Sequence, residues 1–499
     1  MPSPAEDLRA LLSLINTSAE EAISIYEAAG SVPTLDTIEA FKVPEGNISL
    51  KRTLRTLEAA CNQLTSTLMP PDLSVYTRCT AAMDAVCTQI VINKKIPDIL
   101  LNHSKGLHIS DIASETQLEE GKLLRIMRFL AAKHCFREVE PATFTNNPLS
   151  LSLLSDTPLW AILAVRLNHF DPIAIGNFFE ALTSPEYSHS YSPSKAPFSL
   201  GIKDRMPDGT AFEWLQKNPE MSALFNRSMM AWFSMTDVDI VDREFPWKDL
   251  PEGTTVCDIG CGNGFVPLRI SKAHPHLRFT MQDREYVLED TKALWEKEHP
   301  SPQTHANFVP IDFFKSPPVM AQDIYYVGSY GTIRQVIHDW PRDECIAILK
   351  NIRMAMKEGS RLLLHKGKAN GHGAANGVNG KTVNGVSGKA LNGVKGDDKR
   401  RSRWWTLGTK DRATFKKSQG HTHLLETLEA NIDRAPYPLL PNYGYGAARS
   451  GFLDLEMLVL FNASERTLEQ FKDLGEQAGL RFVKVWHLAE TGLIEFARD

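Results

Sequence analysis

The stretch Thr254-Thr-Val-Cys-Asp-Ile-Gly-Cys-Gly-Asn-Gly264 decides how this chain folds. Thr254–Ile259 has the composition of a short buried strand, and the glycines at alternate positions then break that strand into a tight turn. Gly260, Gly262 and Gly264 place no Cβ between the backbone and a ligand, and they permit positive φ. The helical run Phe265–Ala273 follows, so the free N–H groups of its first turn face whatever the turn holds.

A second candidate strand, Arg278–Gln282, ends at Asp283, nineteen residues after Gly264. A carboxylate there can accept hydrogen bonds from both hydroxyls of a ribose, as in dinucleotide-binding folds. The glycine spacing is G-x-G-x-G, however, and those folds carry G-x-G-x-x-G. The compact pattern that begins at Asp258 resembles motif I of class I methyltransferases, which bind S-adenosylmethionine. The alternative is a tight turn that binds no ligand.

Composition limits the classes of protein that fit. A length of 499 residues predicts two or three domains, and 42% apolar residues can fill their cores. The net charge of -5 argues against a nucleic-acid partner. Seven scattered cysteines favour a reducing compartment, and the spacing of Cys257 and Cys261 fits no common metal motif, so we predict no bound metal. The acidic start and the lack of a long apolar run predict a cytoplasmic protein with no membrane partner.

Three N-terminal stretches, Ala5–Ala29, Leu50–Met69 and Ala81–Ile92, have apolar residues at helical spacing. We predict that these helices form a subunit interface, because the first two precede any recognisable domain.

The next part of the chain has the pattern of a winged helix. Ile96–Leu101 ends one helix, His108–Lys133 forms a helix-turn-helix, and Glu138–Thr145 forms a small β-wing. Glu119 and Glu120 stand in the first turn of the candidate recognition helix, where a DNA-binding protein would carry Arg, Lys or Asn. We therefore predict dimerisation and packing for this module and not DNA binding.

The segment Leu159–Phe245 is helical, rich in aromatic residues and interrupted by the polar loop Ser184–Pro197. Its apolar side chains suit a flat pocket, because Met is unbranched and adapts to planar ligands. The candidate pocket residues are Phe225, Met229, Met230, Trp232 and Phe233. Ordinary core packing is the alternative for at least half of them.

Strands and helices alternate after the glycine turn, which predicts a doubly wound parallel sheet that binds ligands at its carboxyl edge. The predicted strands are Thr254–Ile259, Arg278–Gln282, Asn307–Pro310, Asp323–Val327, Ser360–His365 and an antiparallel edge pair, Arg481–Trp486 and Gly492–Ala497. Between the strand Ser360–His365 and the edge pair lies an insert, about residues 366–403, in which Asn-Gly-Val recurs. It has too few apolar residues to offset its ordering entropy, so we predict a disordered basic loop.

A second chemical cluster, His338-Asp339-Trp340, follows the fourth strand, and Pro341 and Asp343 begin a helix after it. A histidine at the carboxyl end of such a strand faces the ligand crevice and can take a proton near neutral pH. A hydrogen-bonded structural histidine is the alternative.

The order of these motifs resembles that of the plant-type O-methyltransferase family, in particular its fungal branch that modifies aromatic polyketides. The matching motifs are Asp258-Ile-Gly-Cys-Gly-Asn-Gly264, Gln282-Asp283, Ile311-Asp312-Phe313-Phe314, His338-Asp339-Trp340 and Glu465-Arg466-Thr467. The resemblance implies an α/β fold: a Rossmann-like class I methyltransferase sheet with an N-terminal all-helical plus winged-helix dimerisation domain, in a homodimer. The implied domains are a helical extension (1–75), a winged-helix dimerisation domain (76–160), a helical substrate-pocket segment (161–245) and a catalytic domain (246–499).

The resemblance also assigns residues by position. Residues toward the cofactor S-adenosylmethionine would be Asp258, Gly260, Gly262, Gly264, Asp283, Asp312, Phe313 and Arg334. Of these, Asp283 would hold the ribose, and Asp312 and Phe313 would flank the adenine. His338 would be the general base, Glu465 would orient it, and Asp339 would lie close to the cofactor. The residues around an aromatic phenolic acceptor would be Phe225, Met229, Trp232, Phe233 and Met457.

This sequence departs from the family pattern at two places. Many members carry an acid at the end of the fifth strand that bonds the catalytic histidine, and here the nearest residue is His365, so Glu465 is expected to orient His338 alone. The segment Asp323–His338 is also longer than usual, which leaves the assignment of Arg334 open. Two other classes remain: an S-adenosylmethionine-binding enzyme of the same fold that does not methylate, and a catalytically silent winged-helix regulator or scaffold. A nicotinamide-dependent reductase fits less well, because the glycine spacing differs.

Overall fold

The computed structural model describes residues 3–41, 43–44, 47–236, 241–298, 306–328, 336–367, 435–440, 443–488 and 491–498. Arg334 and residues 368–403 of the predicted insert lie outside these ranges. The strand before the insert runs to Gly367. Lys366 and Gly367 therefore belong to the sheet and not to the insert, because they pair with Gly492 and Thr491 of a neighbouring strand.

Two long helices come first, α1 (Pro4–Ala28) and α2 (Ile48–Leu68). The side chains of Ser3 and Asn47 cap their first turns by accepting backbone N–H bonds, which satisfies donors that a helix start leaves free. Tyr26 and Leu50 pack in one buried cluster between the two helices. Both helices agree with the predicted spans to within about two residues, the usual uncertainty of a helix end.

The next elements are α3 (Pro71–Cys79), α4 (Ala82–Asn93), α5 (Ile96–Leu100), β1 (Leu107–His108), α6 (Ile109–Thr116), α7 (Glu120–Ala132), β2 (Arg137–Glu140) and β3 (Thr143–Thr145). The strands form an antiparallel sheet in the order β1-β3-β2. Ile112, Leu123 and Phe144 are fully buried and join the two helices to this sheet. The element order is the one predicted for a winged helix, and that classification itself stays a prediction.

Two features of this region differ from expectation. Lys95 has a left-handed φ of 52°, so Ile96–Leu100 is a separate short helix and not the end of the preceding one. Helix α3 was not predicted, and it has no buried residue. A helix without a buried face shows no core pattern by which sequence periodicity could detect it.

The middle of the chain is helical. Its elements are α8 (Pro148–Leu151), α9 (Pro158–Val165), a π-helical turn (Arg166–Phe170), α10 (Asp171–Ala174), α11 (Phe178–Thr183), a 3-10 turn (Pro193–Lys195), α12 (Pro197–Ile202), α13 (Ala211–Lys217), α14 (Pro219–Thr236), α15 (Val241–Glu244) and a 3-10 turn (Trp247–Asp249). Phe170, Phe198 and Phe225 pack together in its core, with ring centroids 5.6 Å apart in both the Phe170–Phe198 and the Phe170–Phe225 pairs.

The rest of the chain forms the predicted parallel sheet with its antiparallel end. Its elements are β4 (Thr255–Ile259), α16 (Phe265–Ala273), β5 (Arg278–Gln282), α17 (Glu285–Glu298), β6 (Ala306–Phe308), β7 (Ile324–Val327), α18 (Arg342–Ala355), β8 (Arg361–Gly367), a 3-10 turn (Gly444–Ala447), α19 (Ala448–Phe461), α20 (Leu468–Gln477), β9 (Leu480–Leu488) and β10 (Thr491–Arg498). The seven strands follow the order β6-β5-β4-β7-β8-β10-β9. The first five are parallel, and β10 is antiparallel to β8 and β9.

Apolar layers cover both faces of this sheet, because successive side chains of a strand point to opposite faces. Val256 packs in one layer, and Cys257 and Ile259 pack in the other. The carboxyl ends of β4, β5 and β7 therefore meet at one protected edge. None of the helices in the described part of the chain is long and apolar enough to cross a membrane. The described residues also contain no group of three His, Cys, Asp or Glu side chains that could hold a metal ion.

Candidate active site

The glycine turn between β4 and α16 has the conformation that its sequence predicts. Gly260, Gly262 and Gly264 have φ of 69°, 55° and 69°. These values are unfavourable for any residue with a Cβ. A Cβ on Gly264 would also lie 2.7 Å from the Cγ2 of Thr291 on α17. The turn therefore depends on glycine for its backbone conformation and, at Gly264, for the close approach of α17.

Asp283 holds this turn from the end of β5. Its carboxylate is buried and accepts hydrogen bonds from the backbone N–H of Gly262 (2.9 Å) and of Arg284 (2.7 Å). An ionised carboxylate only accepts hydrogen bonds, which is the chemistry that a ligand hydroxyl needs from a partner. The predicted cofactor residues Asp258, at the end of β4, and Asp283 are both fully or almost fully buried at the same edge of the sheet.

Asn263 is a polar group of the turn that the sequence interpretation did not single out. Its Oδ1 accepts a hydrogen bond from the N–H of Phe265 (3.1 Å) at the start of α16. Its Nδ2 is buried and has no hydrogen-bond partner among the described residues. Asn263 and Gly262 line a cavity of about 90 Å³ together with Phe212 and Phe225. A buried donor on a glycine turn suits a polar ligand. The position of Asn263 inside the glycine motif is the sequence signal that could have marked it as a ligand-binding residue.

Asp312 and Phe313 follow β6 at the same edge. The carboxylate of Asp312 lies 3.1 Å from Arg284 Nη1 and 3.2 Å from Lys315 Nζ. Burial alone would raise the pKa of Asp312, but Lys315, the N–H of Phe314 and Arg284 together lower the pKa below its ordinary value. The group is therefore an anion at neutral pH. The carbonyl of Phe313 is held by the Nδ2 of Asn351 on α18 (2.8 Å).

His338 is buried between two carboxylates. Its Nδ1 lies 2.5 Å from Glu465 Oε1, and its Nε2 lies 3.3 Å from Asp339 Oδ1. Burial lowers the pKa of His338, but Glu465 and Asp339 outweigh burial and raise it to about 10. The structure thus brings together the three residues predicted to be catalytic. Glu465 contacts Nδ1, as the sequence predicts, and Asp339 lies beside the second ring nitrogen.

Val336 connects this cluster to the glycine turn. It is fully buried, and its Cγ2 occupies the space that a Cβ on Gly260 would need. Gly260 therefore lets the segment that carries His338 pack directly on the turn. Arg334, the other residue predicted in this segment, lies outside the described residues.

His365, at the position nearest the acid that the family carries on its fifth strand, contacts a tyrosine of the neighbouring strand. Its Nδ1 shares a 2.5 Å hydrogen bond with the hydroxyl of Tyr326 on β7. Burial lowers the pKa of His365 to about 3. Gly328 makes room for it, because a Cβ there would lie 2.6 Å from the Cβ of His365. His365 is therefore an uncharged structural group at neutral pH.

The predicted acceptor residues Phe225, Met229 and Met457 share one apolar cluster. Trp232 and Phe233 lie on α14, outside the side chains that the structure describes. A stack of aromatic rings not anticipated from the sequence runs past this cluster. Phe212 stacks on Phe461 (4.8 Å between centroids) and on Trp340 (5.9 Å), and Trp340 meets the edge of Phe314 (4.8 Å). The stack joins α19 to the turn that carries His338.

Comparison with known proteins identifies the family. A family model described as the O-methyltransferase domain matches residues 200–382, and one described as the O-methyltransferase dimerisation domain matches residues 79–156. The protein 3-O-methyltransferase 2 of Phanerochaete chrysosporium is 33% identical over 99% of this chain and 98% of its own length. The chain belongs to the O-methyltransferase family. The predicted family and enzyme class are confirmed.

Solved structures show the same fold for this O-methyltransferase. The mitomycin 7-O-methyltransferase MmcR has a TM-score of 0.61 at 21% identity and covers 86% of this chain and 98% of its own. LepI, solved in complex with SAM, has a TM-score of 0.62 at 16% identity and covers 100% of both chains. The class I methyltransferase fold is thereby confirmed as predicted. The predicted cofactor, S-adenosylmethionine, is confirmed by the match to the O-methyltransferase family.

Proposed function

We propose that this O-methyltransferase methylates a phenolic hydroxyl of an aromatic secondary metabolite of the polyketide class, with His338 as the general base. The observation that carries the proposal is the burial of His338 between Glu465 and Asp339, on a segment that packs against the glycine turn. A base in this position is next to the place where the family binds its methyl donor.

The hydrogen bonds of His338 assign a role to each neighbour. The carboxylate of Glu465 accepts, so Nδ1 carries the hydrogen of that bond, and in the unprotonated ring Nε2 is left to take a proton. A phenol ionises with a pKa of about 10, taking tyrosine as the guide. Glu465 and Asp339 raise the pKa of His338 to about 10, which brings it toward that of a phenol and lowers the free-energy cost of the proton transfer. Asp339, 3.3 Å from Nε2, stabilises the imidazolium that results.

The residues at the turn fit S-adenosylmethionine. The glycines leave the backbone uncovered, Asp283 presents a buried carboxylate, and Asn263 keeps a buried N–H donor without a described partner. When bound, S-adenosylmethionine supplies a methyl group on a positively charged sulfur. We assign Asp258, Asp283 and the three glycines to its amino-acid and ribose parts. Asp312 and Phe313 are assigned to its adenine.

The acceptor site is assigned to the apolar cluster around Phe225, Met229 and Met457. These side chains can hold a flat ring and exclude water from the phenolate, which strengthens the electrostatic interactions of His338. Trp232 and Phe233 stay in the proposed set on the strength of their positions on α14.

We also propose that the enzyme works as a homodimer. Helix α3 ends at Cys79, where the matched dimerisation domain begins, and it exposes Leu73, Val75 and Tyr76 by half or more. Burial of such a face against a second copy would remove apolar surface from water.

The test is a methyl-transfer assay with S-adenosylmethionine and a panel of hydroxylated naphthalenes and anthraquinones. Each phenol is paired with its own methyl ether, which has the same ring and no free hydroxyl. We expect a mass gain of one methyl group for phenols and none for the ethers. Binding of S-adenosylhomocysteine should be measured by calorimetry on the same sample, with NADPH as the control. Binding without transfer to any phenol would contradict the proposed acceptor and favour the non-methylating alternative.

A further inference from the structure

A buried arginine lies behind the four-residue segment Ile337–Trp340, which we call the base turn. Arg466 is 6% exposed, and its guanidinium donates to two main-chain carbonyls. One Nη donates to the carbonyl of Ile337 and the other to the carbonyl of Trp340 (2.6 Å). These two carbonyls stand immediately before and after the pair His338-Asp339.

We propose that Arg466 is a positioning residue for methyl transfer, which fixes the main chain of the base turn and thereby the place of His338 against the glycine turn. The proposal rests on the proposed role of His338 as the base. It adds a residue that bonds the main chain on either side of the base and not the imidazole ring.

The chemistry of the guanidinium suits this role. Its N–H donors are held in a rigid planar fork, so two carbonyls at a fixed separation can be bonded at once. A lysine keeps the charge but concentrates it on one flexible ammonium group. Among the described residues, Arg466 forms no ion pair, whereas nearby Arg342 pairs with Asp473 at the surface. The bonding capacity of Arg466 is therefore directed at the base turn.

The neighbours of Arg466 hold the same turn. Glu465 bonds the side chain of His338, and the next residue, Arg466, bonds the main chain of the base turn. The N–H of Glu465 donates in turn to Asp454 Oδ1 (2.8 Å) on α19, one helical turn before Met457. Helix α19, which carries the proposed acceptor residue Met457, and the base His338 are thus both bonded to Glu465.

A second donor reaches the same carbonyls from α18. Cys345 Sγ lies 3.1 Å from the carbonyl oxygen of Ile337 and 3.3 Å from that of Trp340. A thiol is a weak donor, so the guanidinium supplies most of the restraint. The turn should remain folded in a variant that lacks the fork, but with a looser average position.

Substitution of Arg466 by lysine replaces the planar guanidinium with a single ammonium group and tests the proposal. A misplacement of about 1 Å can cost about 10²-fold in rate, so we expect Arg466→Lys to lower kcat by about 10- to 100-fold. The KM for the acceptor and the Kd for S-adenosylhomocysteine should stay within about threefold, because the described hydrogen bonds of Arg466 go to the base turn and not to a proposed ligand residue. Hydrogen exchange of the base-turn amides should become faster in the same variant.

Arg353→Lys is the matched control. Arg353 also donates to a main-chain carbonyl, that of Gly479 (2.8 Å) at the start of β9, away from the base turn. It should lose a similar bond and leave kcat within about threefold. An equal loss of kcat in both variants would overturn the proposal, because the effect would then be general destabilisation.

A double variant separates this proposal from the proposed function. If Arg466 acts only through His338, Arg466→Lys should cause no further loss of kcat in a His338→Gln background. A full additional loss would overturn the positioning role. Wild-type kcat and unchanged base-turn exchange in Arg466→Lys would also overturn it. Wild-type kcat in His338→Gln alone would instead refute the general base, and the exchange measurement would still report whether Arg466 fixes the turn.

Discussion

Two buried histidines lie at neighbouring strands of one sheet, and their pKa values are shifted in opposite directions. His338 comes after β7 and lies between Glu465 and Asp339, whereas His365 is on β8 and meets the hydroxyl of Tyr326. Burial lowers the pKa of both. At His338 the carboxylates of Glu465 and Asp339 reverse the effect, so its pKa rises to about 10, while burial lowers the pKa of His365 to about 3. The partner, and not the burial, decides which histidine can exchange a proton.

Removal of the base should give the largest effect. We expect His338→Gln to lower kcat by about 10²- to 10⁴-fold, the usual contribution of a general base, with S-adenosylhomocysteine affinity nearly unchanged. Steady-state kinetics and calorimetry measure the two quantities. The same substitution at the other histidine, His365→Gln, should lower kcat by less than about tenfold, because an amide can still bond Tyr326. Similar losses in both variants would show that the histidines do not differ in role.

Removal of one carboxylate should lower the pKa of His338 toward that of His365. In the wild type, kcat should rise with pH toward the alkaline range, because only unprotonated His338 can accept the phenolic proton. Glu465→Gln removes a group that raises the pKa of His338, so the rising limb should move to lower pH. The new amide can also donate to Nδ1 and favour the tautomer with hydrogen on Nε2, so kcat should fall by about 10- to 100-fold.

The control for Glu465→Gln is Glu469→Gln, which removes an exposed carboxylate four residues away that pairs with Lys472. It should leave the pH profile unchanged. If the pH profile of kcat moved equally in both variants, overall charge, and not contact with His338, would set the pH at which kcat rises.

The smallest expected effect concerns stability. Because the folded-state pKa of His365 lies below its unfolded value of about 6.5, the unfolded chain binds more protons between these values, and stability falls as pH decreases from about 6.5 to 3. One such group contributes at most about 1.4 kcal/mol per pH unit. The stabilising contribution of His338 has the opposite sign: it is present below about pH 6.5 and is lost as pH rises through about 10.

Thermal melting across this pH range measures the two contributions. His365→Gln should flatten the acid side of the stability profile, and His338→Gln should flatten the alkaline side. Acid sensitivity equal to that of the wild type in His365→Gln would contradict the pKa assigned to His365.

The parts of the fold with local signals were predictable. Alternation of apolar strands and helices gave the sheet, and the glycine spacing gave a turn with positive φ at Gly260, Gly262 and Gly264. The contact of His338 with Glu465 was expected because the two motifs resemble those of a family, although the residues are 127 positions apart.

Other contacts had no local signal. The fork of Arg466 reaches carbonyls 129 and 126 positions away, and main-chain carbonyls carry no sequence identity. The stacking of Phe212 between Phe461 and Trp340 depends on how the helices α13 and α19 pack against the base turn. Such contacts follow from tertiary structure, which periodicity within one element does not describe.

The position of β10 has a consequence for the synthesis of this enzyme. It is the last strand that the structure describes, yet it lies inside the sheet, between β8 and β9. The ribosome must therefore translate Thr491–Arg498 before β8, the strand of His365, gains its second neighbour. Until then β8 presents unpaired N–H and C=O groups to other chains. The nascent enzyme is thus exposed to aggregation late in translation, and truncation before Thr491 would remove an internal strand and not an edge.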